Sequence, residues 1–463
     1  MVLRVTAVIV LSGATLVLPD RLLSPGTLVI DAGRIAEIRP DAPSSGTPSA
    51  FAFHGHYIVP GFVDVHVHGV EGVDALDGGD TIGEIAERLP RYGVTAFCPT
   101  TVACAPDALR RVLDEIRRAR AIPRPRAARV LPAHLESNFV NPVYRGAQPV
   151  SCLRVPRAAL EDRAGRAARL RAEGASASAE ASARLAEARW SIDERRRSAS
   201  HAEARQDSER AEAGGAGPHA FTGADILAEI ERAAPDVGIV TLAPELDGGL
   251  DLIRWLTERG HRVSLGHSAA TFEQATAAIA AGARHATHLF NRMPPLDHRA
   301  PGLAGAVLQA DEVAAEIICD GAHVHAAMVR AAIAAKQPAR VMAITDATAA
   351  AGLPAGARAT LGGQPIVAGE STAILADGTI AGSIVTMDRV FQMLIGKAGQ
   401  SLVDAAVVCS TTPARELGLV GYGVLATDAS ADLAVLDANL FVVQTYVGGN
   451  LVYARNTPAP AAV

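Results

Sequence analysis

Val63-Asp64-Val65-His66-Val67-His68 is a short apolar run that closes on two imidazoles. The same design recurs along the chain. Leu131-Pro132-Ala133-His134-Leu135 ends in Glu136, Val263-Ser264-Leu265-Gly266 in His267, Ala286-Thr287 in His288, and Val341-Met342-Ala343-Ile344-Thr345 in Asp346. Buried strands read as short apolar runs. A polar residue at the exit of several of them is the arrangement of a barrel whose chemistry gathers at its C-terminal rim.

Between these runs lie amphipathic, Ala-rich stretches, so strands alternate with helices as in a parallel sheet or barrel. One unit reads in detail. After His267, Thr271 and Gln274 form a capping box, the helix runs through Ala280, Gly282 stops it, and the next strand leads to His288. That is one βαβ step, which brings both histidines to the same rim. The two ends differ. Residues 1–57 and the region from about Leu361 are strand-like with frequent turns, notably Ala431 to Asp437 and Leu440 to Tyr453. We expect the ends to pair into one β-domain, giving 1–57 as its first part, 58–360 as the barrel, and 361–463 as the last barrel segment and the remainder of the β-domain. From about Val155 to Ala220 the composition turns to Ala, Arg, Glu and Ser, which reads as an insertion, part helical, with too few large apolar residues to bury much surface.

The 463 residues, 49% hydrophobic and 20% charged, suffice for a large core. A net charge of -6 with no basic stripe outside the insertion excludes a nucleic-acid partner. Five scattered cysteines, Cys98, Cys104, Cys152, Cys319 and Cys409, without a C-x-x-C pair, argue against a disulfide framework or a thiolate zinc site, and we expect reduced thiols in the cytoplasm. The stretch Val5 to Leu18 resembles a signal peptide, but Thr6, Ser12, Gly13 and Thr15 interrupt it and strands follow, so a β-domain start is expected. No other stretch has the length of a membrane span free of charge, Gly or Pro, and no membrane partner is expected.

Residues two apart share one face of a strand, so His66 and His68 project together, with Asp64 pointing the same way. Adding Glu136, His267 and His288 gives a nitrogen and oxygen donor set suited to Zn²⁺, Fe²⁺, Co²⁺ or Mn²⁺, with enough ligands for one or two divalent ions and Glu136 as the bridge. A single histidine in such a run is more often a satisfied core residue. Four histidines and a glutamate at strand ends are hard to obtain from packing, since buried ionisable groups cost free energy unless paired or bound to metal. Asp346 at a strand exit can cap the following turn, and beside an activated water it can also accept and return a proton, as a metal-dependent hydrolase requires.

Further strings carry a resemblance. Pro60-Gly-Phe-Val-Asp-Val-His-Val-His-Gly, Leu135-Glu136 through Asn141-Pro142 and Gly146-Ala-Gln148, Thr241-Leu-Ala-Pro-Glu245, Leu265-Gly-His-Ser, Thr287-His-Leu-Phe-Asn-Arg-Met-Pro-Pro-Leu296, His298-Arg-Ala-Pro-Gly302, Asp320-Gly-Ala-His-Val-His325, Thr345-Asp-Ala and Ala381-Gly-Ser383 together resemble the N-acetylglucosamine-6-phosphate deacetylases of the amidohydrolase superfamily. The resemblance covers nearly the whole chain outside the insertion. It implies an α/β fold, a (β/α)₈ TIM-like barrel with a small β-sandwich domain from both chain ends. It implies that Glu136, His267 and His288 hold the hydrolytic metal, zinc foremost, that His66 and His68 bind a second ion, and that Asp346 is the acid/base. It further implies an amino-sugar phosphate substrate, bound by Gln148, Asn291, the backbone near Arg292, Arg299 and His323, and a homodimer in which Arg299 reaches over from a second subunit. Arg299 alone would more often be a surface ion-pair partner; the guanidinium fork nevertheless suits phosphate oxygens.

Ser137-Asn138 stand where the family commonly has Gly-Pro, and the insertion follows soon after Gln148, so the sugar accepted is more exposed to change than the reaction class. A cyclic amidase of the dihydroorotase kind would need a carboxylated lysine, and only Lys336 and Lys397 are present, neither at a strand exit beside histidines. Deacetylation of a related N-acetylated sugar is one alternative. An inactive sugar-phosphate sensor is the other, although all six candidate metal and acid/base residues are retained.

Overall fold

The computed structural model describes residues 8–40, 50–169 and 221–455. Eight parallel strands form the central barrel: β1 Phe62–Val67, β2 Val94–Thr101, β3 Ala133–Glu136, β4 Val237–Leu242, β5 Arg262–Leu265, β6 His285–Ala286, β7 Ala314–Ile318 and β8 Val341–Ile344. Each pairs with the next in parallel register, for example Ile239 with Arg262 and Ser264 with His285. The ring closes where β8 returns to β1. Asp346 N–H donates to the His66 carbonyl at 3.1 Å, His68 N–H donates to the Ala347 carbonyl at 2.8 Å, and Val67 bridges Ala347 in parallel.

Helices α1 Thr81–Arg88, α2 Pro106–Ala121, α3 Gly223–Ala233, α4 Gly249–Thr257, α5 Phe272–Ala280, α6 Gly302–Gln309, α7 Ala326–Lys336 and α8 Met387–Gly396 cover the barrel. Their faces follow from spacing. α2 starts with Pro at its first position and Asp107 in its first turn, ends with Arg118 and Arg120, and buries Leu109, Val112, Leu113 and Ile116. Each such side chain contributes roughly 1.5–3 kcal/mol by burial. α5 begins as the sequence predicts. Thr271 accepts from Gln274 N–H at 3.3 Å, the Gln274 side chain accepts from Thr271 N–H at 3.0 Å, and Gly282 takes a φ of +121° after the helix.

A separate apolar cluster fills the barrel, drawing Val63 and Val65 from β1, Ala96 and Cys98 from β2, Ile239 from β4, Ala314 and Ile318 from β7, and Met342 and Ile344 from β8. The chain ends meet as expected. Leu433–Leu436 pairs antiparallel with Tyr57–Pro60, which pairs parallel with Ile9–Val17, and together the ends build an eight-stranded sheet with its own core around Leu16, Leu28, Ile58 and Tyr446.

Between β8 and α8 lies a four-stranded antiparallel sheet over Arg358–Leu361, Gln364–Ala368, Thr372–Leu375 and Ile380–Ser383, for which the residue pattern holds no separate signal. Of the segment read as an insertion, residues 156–169 are helical and the remainder lies outside the described residues. Among the described residues no helix is long and apolar enough to cross a membrane.

Candidate active site

The strand exits converge. His66 is the next-to-last residue of β1 and His68 lies just past it, Glu136 ends β3, His267 and His288 follow β5 and β6, and Asp346 follows β8, all buried. Three of them leave their strands through left-handed backbone: φ is +47° at His267, +29° at His288 and +50° at Asp346. Side chains other than glycine rarely adopt this region, at a cost of about 1–3 kcal/mol each, and such residues collect where function fixes the geometry.

Glu136 occupies the centre of the group. Its Oε1 lies 2.9 Å from His267 Nε2, 3.0 Å from His288 Nε2 and 3.6 Å from His66 Nε2, while its Oε2 lies 3.5 Å from His68 Nε2. His66 and His68 bring their Nε2 atoms within 3.3 Å of each other, and each is 3.3 Å from Asp346 Oδ1. Three groups of potential metal ligands result among the described residues: His66 with His68 and Glu136, His267 with His288 and Glu136, and, deeper in the barrel, His66 with His134 and Glu316.

Hydrogen bonding shows that these residues fit a cation. His267 Nδ1 lies 2.9 Å from the Tyr144 carbonyl, which can only accept, so that nitrogen carries a proton. The neutral ring then points its Nε2 lone pair at a carboxylate oxygen 2.9 Å away, and at a second imidazole nitrogen 3.0 Å away. Electron pairs meeting at that separation require a positive charge between them, a proton or a metal ion. The electrostatics agree. Burial works against charge throughout the group, yet the Glu136 charge and hydrogen bond raise His267 above the ordinary imidazole value. Burial would push Glu136 up, and His267, His288 and His66 hold it well below the carboxylate range. Asp346, likewise pushed up by burial, is drawn down by His66 and His68. Burial prevails at His66 and lowers it.

Above the group opens a cavity of about 440 Å³, a size suited to a small ligand. His68, Glu136, His267, His288 and Asp346 form its metal-type floor, and Gln148, Asn291, Arg292 and His323 line its wall. His323 donates or shares a proton with Asp320 Oδ2 through Nδ1 at 2.6 Å, and its buried Nε2 has no hydrogen-bond partner. Burial lowers the imidazole, but the Asp320 hydrogen bond and charge outweigh it and raise His323 overall. Arg292 lines the cavity and donates to the Ile380 carbonyl at 3.1 Å; its own carbonyl accepts from Ser268 N–H at 3.0 Å. Gly146 makes room for that guanidinium, since a Cβ there would lie 2.7 Å from Arg292 Nε.

Two expected positions differ in detail. Gln148 donates through Nε2 to Glu136 Oε2 at 2.6 Å and accepts Ala103 N–H at 2.6 Å, so its amide is engaged with the central carboxylate. Arg299 is exposed and does not line the cavity of its own chain. Asp64 corrects the sequence reading: the pairing of β1 with β2 shifts register between Asp64 and Val67, which breaks strict alternation. Its carboxylate accepts from Thr345 Oγ1 at 2.6 Å instead of joining the histidines, and burial pushes its carboxyl up to about 7. Ser137 and Asn138 stitch the rim: Ser137 Oγ donates to the Thr241 carbonyl at 2.5 Å, and Asn138 Nδ2 donates to the carbonyls of Cys104 at 2.8 Å and Cys152 at 2.7 Å.

Sequence reasoning did not select Glu316 or give His134 a role. Glu316 is wholly buried in β7 and reaches His66; His134, one residue pair before Glu136, stacks edge-on at 4.5 Å from the His66 ring. A lone carboxylate in Ala314-Ala-Glu-Ile-Ile318 was the signal for the first.

Residues 57–452 match the sequence profile of the Amidohydrolase family. The chain is similar to N-acetylglucosamine-6-phosphate deacetylase of Rattus norvegicus, 33% identical over 98% of this chain and 96% of that protein. It is similar to the enzyme of the same name from Bacillus subtilis, 29% identical over 95% of each. Its structure is similar to that of N-acetyl-D-glucosamine-6-phosphate deacetylase from Mycobacterium smegmatis in complex with N-acetyl-D-glucosamine-6-phosphate, with a TM-score of 0.76, 29% identity, and coverage of 96% of this chain and 100% of that one. With the profile spanning the entire barrel and relatives aligned nearly end to end, the chain belongs to the amidohydrolase family.

Proposed function

We infer that this amidohydrolase removes the acetyl group of N-acetylglucosamine 6-phosphate, releasing acetate and glucosamine 6-phosphate in amino-sugar catabolism. The observation that carries the reading is the meeting of five metal-type ligands and one further carboxylate on the floor of a cavity walled by Asn291, Arg292 and His323. The named activity of the relatives supports the substrate. Glu136, His267 and His288 would hold the hydrolytic ion, taken here as zinc, and His66 and His68 a second. When bound, such an ion supplies Lewis-acid polarisation of the amide carbonyl and a water acidified to a pKa of about 7.

The chain's own residues then do the proton work. Asp346, whose Oδ1 lies 3.3 Å from the Nε2 atoms of both His66 and His68, can take the proton of the attacking water. The same carboxyl returns that proton to the sugar nitrogen as the C–N bond breaks, which leaves acetate and a free amine. His323 Nε2, unpartnered and held by Asp320, is available to a substrate oxygen. Asn291 and Arg292 line the same wall and suit the sugar phosphate, with the guanidinium offering paired donors. Arg299 would serve the cavity of a second copy in a cytoplasmic homodimer. Gln148 steadies Glu136 and has one amide hydrogen left for the substrate.

The test is acetate release from the 6-phosphates of N-acetylglucosamine, N-acetylgalactosamine and N-acetylmannosamine and from the free sugars, with metal content measured on the same sample. We expect the gluco 6-phosphate to give the highest kcat/KM. Preference for another N-acetylated sugar would reassign the substrate, and a metal-loaded protein that releases acetate from none of them would refute the activity.

A further inference from the structure

His66 is held from behind. Its Nδ1 lies 3.0 Å from Glu316 Oε2, on the side of the ring away from Asp346, His68 and Glu136. Glu316 has no solvent exposure, and its second oxygen has no hydrogen-bond partner. That oxygen is 3.8 Å from His134 Nδ1, whose proton goes to the Val65 carbonyl at 2.9 Å. Among the described residues, His66 is therefore the one side chain hydrogen-bonded to this carboxylate. The Glu316 main chain serves the same rim, accepting Leu289 N–H next to His288 at 2.7 Å. A carboxylate in a barrel interior costs free energy that an apolar residue would avoid, so its presence calls for a task.

We propose that Glu316 is a positioning residue: by accepting the Nδ1 proton of His66 it turns the Nε2 lone pair toward the site and enables the His66 and His68 half to hold its own cation. The inference rests on the metal-hydrolase reading above. A partner that fixes the tautomer of a ligating histidine is typically worth about 10- to 100-fold in metal affinity. The opposite arrangement, a Glu316 hydroxyl donating to Nδ1, would place a proton on Nε2 and bar the ion.

The test is a zinc titration, read by mass spectrometry of retained metal over a range of buffered free zinc, on wild type, E316Q, E316D and E316L, with Tm recorded alongside. Wild type should retain two ions. E316L, and E316D whose carboxylate is one methylene too short, should keep the tighter ion and bind the weaker about 10- to 100-fold less well. E316Q, whose amide oxygen still accepts from Nδ1, should stay within several-fold of wild type. Should E316L not fold, the E316D and E316Q pair decides, since a role resting on charge alone predicts the reverse order. Equal zinc affinity in all variants overturns the inference even if Tm moves, as does a wild type that saturates at one ion. A wild type that takes up no zinc refutes the metal reading itself, which keeps the two failures distinct.

Discussion

Asp346 concentrates the chemistry at the scale of single residues. It touches the imidazoles of His66 and His68 yet contributes to none of the three-residue ligand groups, so its charge should be separable from the grip on metal. Asp346→Asn should retain the zinc content of wild type and lose about 10²- to 10⁴-fold in kcat, checked by single-sample metal and acetate assays. Near wild-type turnover would remove it from the proton pathway. Arg292 and Arg299 make a contrasting pair. Arg292→Ala should raise KM for the 6-phosphate several-fold in the chain that carries it; Arg299→Ala should do so only where a second subunit completes the cavity, leaving unphosphorylated sugar unaffected in both cases. The residues that converge on the cavity floor were legible in the sequence because each ends an apolar run. Glu316 was not, since one carboxylate inside a strand looks the same whether it faces solvent or an imidazole. The commitment of Gln148 to Glu136 was hidden for another reason: it depends on a loop path that no periodicity encodes.

At the scale of elements, the N-terminal end of the barrel shows how a short helix is pinned. Thr412–Glu416 ends on Glu416, whose carboxylate meets Arg415 at 2.8 Å, Arg340 at 3.3 Å and His285, at the start of β6, at 3.8 Å. Burial would raise this carboxyl, but the nearby His285 ring and the hydrogen bond and charge of Arg415 lower it to about 2. A carboxyl depressed in the folded state contributes stability that is complete above its unfolded value, near 4.3, and is lost as pH falls toward 2. Glu416→Gln should therefore cost about 1–3 kcal/mol at pH 7. In chemical denaturation the gap to wild type should narrow as pH falls from about 5.5 to 4; a gap that widens over that range would contradict the assignment. Element order was readable where a local signal existed, as with Thr271, Gln274 and Gly282 around α5. The antiparallel sheet over Arg358–Ser383 carries no such signal, because its four short strands, joined by tight turns, look like any other turn-rich stretch. Only the fold shows that Ser383 bonds the Thr345 carbonyl at 2.5 Å and steadies the turn that presents Asp346.

For the whole molecule, metal and fold should be coupled, because any ion held at the exits of β1, β3, β5 and β6 would bind the assembled barrel and not the unfolded chain. Dialysis against a chelator should abolish acetate release and lower Tm, and zinc should restore both. An ion at a hundred times its Kd contributes about 2.7 kcal/mol. Light scattering should give about twice the 47.8 kDa chain mass, with a monomeric active species arguing against a shared Arg299. One further feature bears on the chain as a whole. Arg154 donates to the Phe221 carbonyl at 3.0 Å, lays its guanidinium 3.7 Å over that ring, and gives its own N–H to the Asn138 carbonyl at 2.6 Å. Residues 67 positions apart are thus fastened to each other and to Asn138, two residues beyond Glu136. Arg154 ties two stretches far apart in the chain to the loop that follows Glu136, at the edge of the reaction centre.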